Sequence, residues 1–168
     1  MTSAADQASR SSASRAWHGA PVLSRGFRLF FLAAGAWALI GMALWLPVFT
    51  GAITIPTAFS AVDWHAHEMI FGYAGAVVAG FLLTAIPNWT GRLPVAGWPL
   101  ATLAALWTAG RIVVLTSAWI GRPAAAVADA AFLTVFAALV AREVIKGRNW
   151  RNLKVAALVF ALALIGRN

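Results

Sequence analysis

Apolar residues fall along this chain in five long blocks, and the short stretches between them hold most of the charge. The first block, 29–49, contains no ionisable residue. The second, 69–86, closes on Pro87-Asn88-Trp89-Thr90-Gly91, residue types that stop helices and make turns. The third, 98–120, carries Arg111, and the fourth, 124–141, carries Asp129. A fifth begins at Val155 and runs to Asn168. A helix of about twenty residues spans the ~30 Å hydrocarbon layer of a bilayer, and none of the blocks alternates with the period of a barrel strand. In lipid every backbone polar group must be paired internally, so helices remain. The expected fold is all-α, a polytopic transmembrane helix bundle of four complete helices plus a truncated fifth. From Val155 to Ile165 that fifth helix rises only about 16 Å, roughly half the hydrocarbon thickness. A chain end inside lipid would strand a carboxylate and unpaired carbonyls at several kcal/mol each, so 27–168 reads as a fragment of a longer transmembrane domain.

Composition agrees with lipid as the solvent. Hydrophobic residues make up 61% of the 168 and charged residues 11%, with mean hydropathy +0.79, against about 45–50% and 25% in soluble domains. A net charge of +8 would point to nucleic acid in a soluble protein. Here the cations sit in short loops rather than on one amphipathic face, so nucleic acid is excluded and the bilayer is the expected partner. The missing helices of the same protein would be the other. Residues 1–26, rich in Ser, Ala and Arg, read as a disordered tail in which His18 is incidental. Arg10, Arg15, Arg25, Arg28, Arg92, Arg142, Lys146, Arg148, Arg151 and Lys154 fall on one side, and only Arg122 on the other. The positive-inside rule then makes the N-terminus cytoplasmic, in a multi-pass protein of the inner membrane. Trp45, Trp64, Trp89, Trp98 and Trp119 lie at expected helix ends, where indole rings anchor in the headgroup layer. With no cysteine, any metal would need His, carboxylate or Met ligands.

Chemistry concentrates in Asp63-Trp64-His65-Ala66-His67-Glu68-Met69, where a polar segment enters the second block. Intramembrane ionisable groups are expensive and mark functional sites. At helical spacing His65, Met69, Gly72, Ala76 and Gly80 share a stripe of small residues, suited to close approach by another backbone or a flat macrocycle. The His67 stripe, with Phe71, Ala74 and Val78, is bulkier. If one histidine is a buried haem ligand, His65 is the candidate, with Met69 on its stripe, and His67 and Glu68 are left for a metal or a proton path. The alternative is a solvated interfacial His pair. Arg111 and Asp129, on antiparallel neighbours joined by Gly121-Arg122-Pro123, come within roughly two turns in depth and are expected to pair. That pair either fixes helix packing or meets haem propionates.

The run from Trp64 to Tyr73, the run Ala79-Gly80-Phe81-Leu82-Leu83-Thr84-Ala85-Ile86-Pro87-Asn88-Trp89-Thr90-Gly91-Arg92, and the segments Phe27-Arg28-Leu29-Phe30-Phe31, Gly97-Trp98-Pro99-Leu100, Gly110-Arg111 and Arg148-Asn149-Trp150-Arg151-Asn152-Leu153 resemble the NnrS family. The resemblance implies a bacterial inner-membrane protein containing haem and copper, tied to denitrification and to relief of nitric-oxide stress. Family members have around twelve helices, so it covers only their N-terminal part. His65-x-x-x-Met69-Ile70-Phe71 is also similar to the second helix of haem–copper oxidase catalytic subunits, where the corresponding His is a haem axial ligand. The function expected is thus a haem- and copper-binding membrane protein, with no residue assigned a catalytic role. The rival is a transporter or channel with a polar path through Arg111, Asp129 and Glu68.

Overall fold

Each long apolar block becomes a helix, and the differences from expectation lie where polar residues close them. The computed structural model describes residues 19–165, with no strand among them. The helices are α1 (Gly26–Phe49), α2 (Ala61–Thr90), α3 (Trp98–Leu115), α4 (Ser117–Ile120), α5 (Arg122–Lys146) and α6 (Leu153–Ile165). By length and composition α1, α2, α3 and α5 are able to cross a membrane. Their outward faces carry bare Leu32, Leu39, Phe81 and Val127. Water would penalise so much exposed apolar surface and lipid does not.

α2 starts eight residues before the expected Met69 because Ser60 caps it. The Ser60 side chain accepts from the Asp63 N–H at 3.1 Å and donates to the Asp63 carboxylate at 2.7 Å. The His-rich segment is therefore helical. α2 also runs past Pro87 to Thr90, and Gly91, at φ 69°, closes it in the left-handed region. The third block divides. Thr116 ends α3, and the Ser117 hydroxyl donates to the Val114 carbonyl at 2.8 Å while accepting from the Ala58 N–H at 2.9 Å. α5 continues beyond Ala141 to Lys146, since cations at a helix C-terminus meet the negative end of its dipole. A 3-10 turn, Trp150–Asn152, then leads into α6.

Ordered backbone begins before residue 26, contrary to the expected tail boundary. Pro21–Ser24 form a 3-10 turn, and the Gly97 N–H donates to the Leu23 carbonyl at 2.9 Å, pinning this turn to the start of α3. Residues 1–18, including Arg10, Arg15 and His18, lie outside the described part.

α2 packs between α1 and α5, and α5 is flanked by α3 and α6. The small-residue stripe of α2 does face a close neighbour, the side chains of α1. A Cβ added at Gly80 would lie 2.8 Å from the Phe31 ring and 3.3 Å from Phe30, and one added at Gly41 would meet the Met69 methyl at 3.3 Å. The face read as room for a macrocycle is thus filled by a helix.

Candidate functional site

Three membrane helices each bring ionisable groups to one buried point. Seven residues of α2, Glu68–Ala74, adopt a π-helical turn, a widening that recurs at functional sites. Glu68 at its start is 0% exposed, Arg111 of α3 is 4% exposed and Asp129 of α5 is 6% exposed. Arg111 donates from Nη1 to Glu68 Oε2 at 2.8 Å and from Nη2 to Asp129 Oδ1. His67 then bridges the two carboxylates, with Nε2 3.2 Å from Asp129 Oδ2 and Nδ1 3.4 Å from Glu68 Oε1. The four side chains close a ring in which two carboxylates face one guanidinium and one imidazole. With His67 as imidazolium the ring carries no net charge.

Glycines make room for it. At Gly72 an added Cβ would fall 2.6 Å from Trp37 Nε1 and 2.8 Å from both Arg111 Nη1 and Glu68 Oε2; at Gly110 it would fall 2.8 Å from Asp129 Oδ1. The indole N–H of Trp107 donates to the Gly72 carbonyl at 3.0 Å, tying α3 to the π turn. One side of the ring opens on a cavity of about 460 Å³, whose polar lining is the half-buried His67, the buried Asp129 and the exposed Asp63 and Arg122. The His67 ring lies between Phe59 and Phe71, with centroids 5.6 and 4.8 Å away.

His65 turns elsewhere. Its ring stacks on Trp45 of α1 at 4.3 Å and 24°, and its Nδ1 is buried without a hydrogen-bond partner. Trp45 Nε1, Trp64 Nε1, Trp37 Nε1 and Arg111 Nε share that condition.

A family model described as NnrS protein matches residues 21–166. The chain belongs to the NnrS family. No curated protein and no solved structure matches it. The match takes in everything from the Pro21 turn through α6, and so includes both the ring and His65.

Set against this NnrS chain's own residues, the expected ligand set changes. Arg111 pairs with Asp129, and Glu68 and His67 join them, so both terminal nitrogens of Arg111 are already committed and are not free for propionates. Glu68 and His67 are likewise committed and do not stand open as metal donors. Among the described residues no group of three or more His, Cys, Asp or Glu is placed to hold a metal ion. His65 is not so committed, and its Nδ1 is bare. Trp64, expected as an interfacial anchor, is fully buried, and Trp45 is a stacking partner; Trp98 and Trp119 are widely exposed, as anchors are. Glu68 was a candidate from the sequence, but its role as the second acid of Arg111 was not. The signal was a lone mid-membrane cation with two intramembrane carboxylates to balance it.

Proposed function

We propose that this protein is a haem-binding membrane protein of the nitric-oxide response, with His65 as axial ligand and Met69 one turn along α2 as its neighbour. The observation that carries this is the bare, buried Nδ1 of His65, stacked on Trp45, whose own Nε1 is also buried without a partner. Each such atom costs about 1–3 kcal/mol, and native proteins hold few of them. A bound haem would supply an iron centre able to take up nitric oxide. Trp45 would fix the plane of the His65 ring, and the Arg111 ring would hold α2, α3 and α5 in register behind it. The distribution of cations supports a cytoplasmic N-terminus in a bacterial inner membrane, with His65 on the periplasmic side.

Absorption spectroscopy of the purified protein tests this. A Soret band is expected in the wild type, lost in His65→Ala and kept in His67→Ala. A colourless wild type, or a band indifferent to His65, overturns the assignment.

The cavity at His67 and Asp129 favours a second reading, a polar transport path through Arg111, Asp129 and Glu68. Against it, Arg111 binds both carboxylates and seals that path. Ion flux into liposomes carrying the protein, abolished by Asp129→Asn, would favour transport, and its absence would exclude it.

A further inference from the structure

At the opposite end of the bundle a groove of about 550 Å³ runs between the loop 91–96, Pro99 and the end of α5 at Leu139, Arg142 and Glu143. Its walls change character along the helix axis. Leu139 and Arg142 line it at i and i+3 of α5, and Lys146, at i+7 on the same face, stands about 6 Å beyond Arg142, past the groove's own lining. Facing them, Leu93, Pro94 and Val95 supply an apolar wall beside Arg92. The groove is thus apolar on the membrane side and cationic outward.

Its charge is not balanced internally. Glu143 is buried and accepts from Arg92 Nε at 2.5 Å, while Arg142 Nε stands 4.0 Å from its other oxygen with the side chain 62% exposed. One acid therefore answers Arg92, Arg142 and Lys146. Arg148, Arg151 and Lys154 follow, with no Asp or Glu from 144 to 168.

We infer that this groove binds the phosphate of an acidic phospholipid, held by Arg142 and Lys146, with Leu93, Val95 and Leu139 against the first carbons of the acyl chains. A net-anionic headgroup answers the surplus charge, whereas a choline headgroup carries its own cation. Basic pockets between helix ends at the cytoplasmic leaflet recognise such lipids.

The test is native mass spectrometry of the protein released from nanodiscs of mixed phosphatidylglycerol and phosphatidylcholine. Phosphatidylglycerol should be retained in preference. Arg142→Gln/Lys146→Gln should weaken that retention about thirtyfold, from the loss of two cations near a membrane surface. Both side chains are exposed, so the change removes no buried contact. Arg122→Gln, at the other end, should leave retention unchanged. Equal retention of the two lipids by the wild type, which needs no variant, overturns the inference; so does an equal loss in Arg122→Gln, which would reduce the effect to bulk charge.

Discussion

Replacing Arg111 with Met tests whether the ring is truly dry. The substitution keeps the length of the side chain and removes its charge and all its donors. Glu68 and Asp129 lose their shared cation at 0% and 6% exposure. Only His67 remains beside them, at 3.2 and 3.4 Å. Removing one partner of a buried ion pair costs about 3–5 kcal/mol, mostly the penalty of the charge left behind. Two carboxylates are left here, so the upper part of that range is expected. For a chain of this size each kcal/mol moves the melting temperature by roughly 2–4 °C, so a loss of about 4–5 kcal/mol predicts a drop of about 8–20 °C. The assay is thermal unfolding in a neutral detergent, followed by tryptophan fluorescence and by the monodispersity that survives heating. The triple variant Glu68→Gln/Arg111→Met/Asp129→Asn is the control, because it removes the cation and both carboxylates together, leaves no buried carboxylate unpaired beside His67, and should recover much of the loss. A drop under about 1 kcal/mol in the single variant, the size of an exposed pair, would show that water reaches the ring. A triple variant as unstable as the single one would show that shape, not charge, holds these helices.

Gly72→Ala places a methyl against Trp37, Arg111 and Glu68 at 2.6–2.8 Å; it should destabilise by about 1–3 kcal/mol in the same unfolding assay, and a neutral result would mean that the π turn yields freely. A reporter fused after Thr57 should read periplasmic, and a cytoplasmic signal there would invert the orientation inferred from the cations.

The helices were legible because lipid sets a length: a block of about twenty apolar residues has no other stable use. Their ends were not, because short polar contacts decide them. Ser60 with Asp63 three residues on was a readable cap, yet hydropathy placed the helix start at Met69. Arg111 and Asp129 could be paired from depth alone, since the short connection at Gly121 fixes antiparallel neighbours. Glu68 and His67 could not, because their approach depends on a π turn, which alters the spacing on which a stripe is counted. Trp64 shows the same limit. A position at the edge of an apolar block reads as interface, but the helix continues eight residues further out and carries Trp64 into the bundle.

The two histidines of α2 are separated by what surrounds them rather than by the stripe on which each falls. The small stripe through His65 receives α1, so it gives no room to a macrocycle along its length and no longer ranks His65 first. What ranks it first is hydrogen bonding. His67 has a carboxylate at each ring nitrogen, and drawing it to a metal would break a ring that already balances two buried acids. His65 has Trp45 against its face and a buried nitrogen with no partner. An imidazole held rigid by stacking with its lone pair or proton unanswered is costly in an apolar interior unless something arrives to complete it. The same holds for the indoles of Trp45 and Trp64 and for Arg111 Nε. If the Soret band proves independent of His65, these unpaired atoms must be satisfied by protein or water instead, and the ring at Arg111 becomes the stronger candidate for function.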